Sequence, residues 1–333
     1  MTKPVLHIIS HTDLDGVTAA ALAWHANKDT GRMLRVTLCG YGEVDNLILE
    51  TLESGQEPLV LDLFCQRDNT VDAIDKIWQA DAPPFLFDHH KSNFERYASR
   101  KWALIDVNYC GAMVYWNYLM AQDLEPERRA RVQAMEPLIR IANDRDLWLG
   151  KIADSRLWQG LVTVCGHWGT MMRLAENPSH VLTQAERLAA ESFVADQEAR
   201  FAVARSRIIR TGDELSFVCD GVLEYGDVSD FCGLILDRDD NPPQVAAVAA
   251  KRMGGDWAVS LRSRDGLAGR VMSLLKDGRK VRGGGHGDAS ALYFPSNYTE
   301  MQIKDSLLAA IRVQIEKEAS PKVTLGDLFK GLA

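Results

Sequence analysis

The sequence predicts an α/β protein with a parallel N-terminal sheet, and three observations carry that expectation. Short apolar runs recur and each ends on ionisable residues: residues 5–9 lead into Ser10-His11-Thr12-Asp13-Leu14-Asp15-Gly16, residues 58–61 into Asp62, and residues 85–87 into Asp88-His89-His90. The segments between them have helical patterning, and strands alternating with helices at this spacing imply parallel pairing with right-handed crossovers. The chain, at 333 residues, also exceeds what one typical core holds, which argues for two domains.

Taken in order, residues 5–9 read as a strand and the Ala-rich stretch 17–26 as a helix. Residues 33–39 read as a second strand, 44–52 as a helix, 58–62 as a third strand and 69–79 as a helix. Pro83-Pro84 then marks a break before the run at 85–88. Beyond Gly111 the chain turns helical, over 112–122 and then 126–143, where Pro126 suits a helix start. That helix leads into Asn143-Asp144-Arg145-Asp146, a further acidic cluster, and 157–174 forms an apolar, Trp-bearing helix. A long charged helix over 183–210 is expected to connect a first domain, 1–182, to a second, 211–319, with 320–333 as a tail. In the second domain, strands are expected at 215–219, 245–250 and 257–262, helices at 228–236, 267–275 and 299–319, and a basic Gly-rich loop at 277–287.

Composition narrows the function. A hydrophobic share of 46% and a charged share of 25% describe an ordinary globular protein. No apolar run approaches the ~20 residues needed to span a bilayer, and no signal core follows the N-terminus, so a cytoplasmic protein without membrane partners is expected. Six scattered cysteines give neither a disulfide framework nor a zinc knuckle. A net charge of -8 opposes the coating of a long polyphosphate, but a local basic cluster can still hold one or two phosphates.

Carboxylates at the carboxyl ends of neighbouring parallel strands point into the crevice where such folds bind ligands. Joined by histidine, they suit divalent cations such as Mg or Mn. A pair of ions needs a carboxylate able to bridge, and Asp62, alone at its strand end, is the candidate. In Asp88-His89-His90, successive side chains leave the strand in different directions, which gives one imidazole to metal and one to substrate. The segment Arg282-Gly283-Gly284-Gly285-His286-Gly287 lies downstream of Arg262, Arg264, Arg270, Lys276, Arg279 and Lys280. Glycines let backbone amides approach an anion, so this basic segment is a phosphate-binding candidate.

In this order, His11-x-Asp13-x-Asp15-Gly16, Asp62, Asp88-His89-His90, the Asp144 cluster and Gly283-Gly284-Gly285-His286 resemble the motifs of the DHH phosphoesterases, and the resemblance covers nearly the whole chain. The C-terminal half resembles the DHH-associated domain of that family's RecJ and nanoRNase branch. The resemblance implies two divalent ions, Mn first and Mg as the alternative. It implies that Asp13 serves one ion, that Asp15, His89 and Asp144 serve the other, and that Asp62 bridges; His11 and Asp88 are counted with the metal-binding residues. His90 would face the scissile phosphate, so that it and Asp62 are the catalytic candidates, while Arg262, Gly283, Gly284, Gly285 and His286 would bind substrate. The activity implied is two-metal, in-line hydrolysis of short oligonucleotides or small nucleotide phosphates, with the second domain closing its basic loop over the first domain's metals. A phosphodiesterase for linear or cyclic dinucleotide signals is the alternative, and a non-catalytic nucleotide-binding protein a more distant one. Homodimerisation is left open.

Overall fold

The computed structural model describes residues 5–78, 82–219, 221–224, 226–238, 240–278, 280–285 and 287–319. The chain divides into two compact units, Met1–Ala195 and Asp196–Ala333, so the boundary falls inside the helix Gln184–Ser206 (α9).

The first unit begins with β1 (Val5–Ser10), α1 (Leu14–Asn27), β2 (Met33–Leu38), α2 (Val44–Glu53), β3 (Glu57–Leu61) and α3 (Asp68–Ile77). It continues through β4 (Leu86–Asp88), α4 (Lys91–Tyr97), β5 (Ala103–Ile105), α5 (Gly111–Ala121), α6 (Pro126–Ala134), α7 (Glu136–Asp146) and α8 (Ser155–Glu176). All five strands are parallel, in the order β2-β1-β3-β4-β5. Alternation along the strands divides the apolar side chains between two cores, one on each face of the sheet. Leu6, Ile8, Leu59, Leu61 and Phe87 pack with Leu14, Val17, Met113, Leu138 and Trp158 from α1, α5, α7 and α8. Ile9, Val60 and Leu86 pack instead with Val44, Ile48, Val71 and Ile74 from α2 and α3, and with Trp102. A fully buried Leu or Ile contributes about 1.5 to 3 kcal/mol, so a one-residue slip in any of these strands would be heavily disfavoured. The order reverses between β1 and β3, which places a crevice outside their carboxyl ends.

Two local features set the shape of that crevice. Gly16 cannot be replaced by a larger residue, because an added Cβ would lie 2.4 Å from the His11 carbonyl oxygen. Ser10, fully buried, ties the corner together by donating to the Gly16 carbonyl at 2.7 Å and to the Leu61 carbonyl at 3.1 Å. On the other side, buried Asp45 accepts from the Gln66 and Arg67 amides and the Thr70 hydroxyl, which holds the chain leaving β3.

The helix expected over 126–143 is two helices. Pro137 lies in the first turn of α7, where its missing N–H costs nothing, whereas within a continuous helix it would remove a hydrogen bond and clash with the preceding turn. The segment expected as the helix 157–174 is α8, kinked at Gly166 (φ 72°). The short elements α4 and β5 carry too little periodicity to be foreseen.

The second unit comprises the end of α9, β6 (Ile209–Thr211), β7 (Leu215–Cys219), α10 (Asp227–Arg238), β8 (Val245–Lys251), β9 (Trp257–Arg262), α11 (Leu267–Leu275), β10 (Arg282–Gly285), β11 (Ala289–Phe294) and α12 (Glu300–Ala319). Its sheet runs β10-β11-β9-β8-β7-β6, antiparallel except for β7 with β8. One face packs on α11 and α12 through Leu267, Val271, Ile303 and Leu307, the other on α10 through Phe231 and Ile235. Part of the basic segment expected as a loop over 277–287 is thus an edge strand. Its glycines serve close pairing: a Cβ on Gly283 would lie 2.9 Å from the Ala291 carbonyl oxygen, and one on Gly285 would lie 2.4 Å from that of Ala289. His286 and the tail 320–333 lie outside the described residues. Among the described residues, no helix is long and apolar enough to cross a membrane.

Candidate metal centre

The carboxyl ends of β1, β3 and β4 and the last turn of α7 bring four acids and two imidazoles together. Asp62 stands immediately beyond β3 and is buried to 1% exposure. Its φ of 62° is left-handed, a conformation that Asp and Asn tolerate better than bulkier residues and that turns the carboxylate into the crevice. The two Asp62 oxygens face different imidazoles: Oδ1 is 3.3 Å from His89 Nε2, and Oδ2 is 3.8 Å from His11 Nδ1. His11 Nδ1 also lies 2.9 Å from Asp13 Oδ2, while His89 Nε2 lies 3.5 Å from Asp146 Oδ2 and 3.9 Å from Asp15 Oδ2. Among the described residues, donor atoms therefore form three overlapping groups, His11-Asp13-Asp62, Asp15-His89-Asp146 and Asp62-Asp88-His89-His90, with Asp62 facing the imidazoles of the first two.

Helix ends position the two acids of the first loop. Asp13 caps α1 by accepting from the Gly16 amide at 3.0 Å. Asp15 accepts from the Gly111 amide at 2.6 Å and the Ala112 amide at 2.8 Å, so the N-terminus of α5 fixes its carboxylate. Only glycine fits at 111: a Cβ there would lie 2.8 Å from Asp62 Cβ and 3.2 Å from Asp15 Oδ2.

The Asp144 assignment shifts to Asp146. Residues two apart on a helix project in different directions, so α7 can present only one of the two acids to His89. Asp146 is that acid. Asp144, buried to 3%, turns the other way and builds the following loop, its Oδ1 accepting from the Lys151 amide at 2.7 Å and its carbonyl from the Leu149 amide at 2.9 Å. The sequence showed both acids but not which side of α7 faces inward.

Asp88 lies near the cluster, yet hydrogen bonds claim both its oxygens. Oδ1 accepts from His90 Nδ1 and from the His89 amide, each at 2.8 Å, and Oδ2 accepts from the buried Asn93 amide group. Asp88 thus orients His90, and with Asp62, His89 and His90 it also belongs to the third donor group, where its expected place among the ligands lies. With Nδ1 held, the His90 Nε2 points away from Asp88 and meets the Tyr41 hydroxyl at 3.1 Å. Sequence reasoning missed Tyr41, Asn93 and Gly111 as contributors; Gly40-Tyr41-Gly42 following a predicted strand was the available signal for the first.

Charge is unbalanced here. Burial, then Asp15, Asp13, Asp146 and Asp88 in turn, push the Asp62 carboxyl well above its ordinary value. Burial also drives Asp146 up to about 7, against the pull of His89. Burial opposes protonation of His90, but its hydrogen bond to Asp88 and the surrounding carboxylates raise it to about 9. Asp62 Oδ2, Asp144 Oδ2 and Asp146 Oδ2 are buried and accept no hydrogen bond, and of the three, those of Asp62 and Asp146 face imidazoles. Buried carboxylate oxygens without donors, facing imidazole nitrogens, fit divalent cations of the borderline type.

Arg262 and the glycine strand lie in the second unit. Arg262 donates to the Leu261 carbonyl and the Ser229 hydroxyl, each at 2.9 Å, and pairs across the sheet with Ala289. Gly285 is paired with Ser290, one position further along β11, so Arg262 and the end of the glycine strand share one end of that sheet.

Several solved structures share this architecture. A RecJ exonuclease bound to manganese aligns with 92% of this chain and 90% of its own at 14% identity and a TM-score of 0.57. CDC45 from Entamoeba histolytica aligns with 93% of this chain and 95% of its own at 7% identity and a TM-score of 0.56. RecJ from Thermus thermophilus in complex with Mn2+ aligns with 92% of this chain and 52% of its own at 15% identity and a TM-score of 0.53. No protein-family model matches the sequence, and no curated protein matches it. The likeness establishes a fold shared with RecJ and CDC45.

Proposed function

We propose that the protein is a metal-dependent phosphodiesterase that hydrolyses short oligonucleotides or small nucleotide phosphates. The observation that carries this reading is Asp62, whose two oxygens face two separate imidazole-carboxylate clusters, the arrangement a bridging ligand requires. His11 and Asp13 would complete one cation site, and Asp15, His89 and Asp146 the other. When bound, two divalent cations, Mn first and Mg as the alternative, supply charge neutralisation and an activated water for in-line attack on phosphorus. The manganese in two RecJ structures of the same fold is consistent with that choice.

The protein's own groups account for the rest. Asp88 fixes His90 by Nδ1, which leaves Nε2 to exchange its Tyr41 hydroxyl partner for a phosphoryl oxygen. From there it would donate to that oxygen as charge develops. The Gly111 and Ala112 amides keep Asp15 in place. In the second unit, Arg262 and the strand Gly283-Gly284-Gly285, with His286 following, are proposed as the phosphate-binding element. An overall charge of -8 favours short substrates over long polymers.

The test is metal content joined to turnover. Purified protein stripped and reloaded with Mn should hold two ions per chain and hydrolyse a linear dinucleotide faster than a long single strand; a cyclic dinucleotide separates the signalling alternative. One ion or none per chain, or no hydrolysis of any of the three, would overturn the reading.

A further inference from the structure

The loop that Asp144 builds carries an exposed indole beside the metal centre. Trp148 follows Asp146 by two residues, is 41% exposed and has φ 56°. A bulky residue in the left-handed region is strained, and such strain persists where surrounding structure imposes it, often at ligand-binding sites. Here the surrounding structure is plain: the Trp148 amide donates to the Arg145 carbonyl at 3.3 Å, and the Leu149 and Lys151 amides are held by Asp144. One face of the indole is covered by the Arg145 guanidinium, 4.4 Å from the ring centre. Core packing does not call for this ring, which is too exposed to belong to the hydrophobic clusters around it. A second exposed ring, Tyr109 at 41%, lies in the segment between β5 and α5, where the next residue, Cys110, donates its amide to Asn143 of α7 at 2.9 Å.

We infer that Trp148, backed by Arg145, is a stacking shelf for a nucleobase adjacent to the phosphate held at the metal centre. The inference rests on the proposed phosphodiesterase reading and adds to it the subsite that distinguishes a nucleotide from a bare phosphate ester. An open indole face accepts any base, since every base has a π-face, so the shelf confers a demand for a base without a demand for sequence. The guanidinium over the ring adds a cation–π contact that holds the indole. Asp144 is then a positioning residue, holding the shelf while Asp146, on the other side of the same helix turn, faces His89.

The experiment compares wild type, Trp148→Ala and Trp148→Phe, all loaded with Mn. For a linear dinucleotide, Trp148→Ala should raise KM roughly 5- to 100-fold with kcat little changed, and Trp148→Phe should restore most of the loss. An abasic analogue of the dinucleotide should be turned over equally by all three. A binding arm needs no turnover: by calorimetry, adenosine monophosphate should bind Trp148→Ala more weakly than wild type by a similar factor, and ribose 5-phosphate equally. If wild type hydrolyses nothing, the phosphodiesterase reading fails while the binding arm still decides the shelf. Equal affinities for the mononucleotide, or a loss for ribose 5-phosphate as large as for the mononucleotide, would overturn the shelf. A fall in kcat at unchanged KM would overturn it as well.

Discussion

Replacing Asp62 by Asn should stabilise the metal-free protein and at the same time remove its response to metal. The carboxyl is 1% exposed and surrounded by Asp15, Asp13, Asp146 and Asp88, so its ionised form is disfavoured in the folded chain. Its folded pKa lies above the unfolded one. Between the two, the native state retains a proton that the unfolded chain has released, and stability falls as pH rises through that window. At about pH 8 an ordinary carboxylate is fully ionised in the unfolded chain, so wild type then bears this penalty. Asn carries no charge to bury, and it tolerates the φ of 62° at this position. Removing functional strain of this kind commonly gains about 1 to 2 kcal/mol, which for a unit of this size is a rise of about 2 to 8 °C in Tm. Metal should reverse the ranking: at about a hundredfold excess over Kd, one bound ion stabilises wild type by roughly 2.7 kcal/mol, and the variant, with a neutral amide between the two sites, should gain far less. Thermal and urea unfolding with chelator and with Mn, at a mildly acidic and a mildly alkaline pH, read all of this. A metal-free variant that melts below wild type at alkaline pH, or Mn shifts of equal size in the two proteins, would refute the electrostatic argument.

Three further outcomes are expected. Asp146→Asn should lower the Mn stoichiometry measured by calorimetry, whereas Asp144→Asn, which keeps an acceptor for the Lys151 amide, should leave it unchanged. Gly111→Ala should cost about 1 to 3 kcal/mol by overpacking and weaken Mn binding, because the new methyl presses on Asp62 and Asp15; unaltered affinity would mean that α5 does not position them. His7 is buried and bonded through its two nitrogens to the Thr51 and Thr37 hydroxyls, and burial, aided by Arg35, pushes it down to about 4. Its folded pKa is below the unfolded value, so stability should drop as pH falls from about 6.5 towards 4, by up to about 3 kcal/mol. The difference in urea midpoint between wild type and His7→Gln should therefore change across that window and stay flat above it.

Much of this was legible in the sequence because its signals are local. The apolar runs ending in Asp13, Asp62 and Asp88 are readable one segment at a time, and the strands β1, β2, β3 and β4 lie where those runs are. The family resemblance implied the particular set His11, Asp13, Asp15, Asp62 and His89, while a convergence of these endings followed from order and period, because strand ends in a parallel sheet share one edge. Direction did not. Whether Asp144 or Asp146 enters the site depends on which face of α7 the core buries, and that is settled by Leu138, Ile139 and Ala142 packing against α1 and α5, residues distant in sequence. The orientation of His90 by Asp88 likewise required Asn93 to arrive from the next helix and take the other carboxylate oxygen. The glycines of β10, expected to cradle an anion in a loop, also answer to a backbone neighbour, β11, that short-range pattern does not reveal. Residue type and spacing set which chemistry this chain can gather. The rotation of each helix and strand, fixed by burial on faces that only the assembled fold defines, decides which atoms meet.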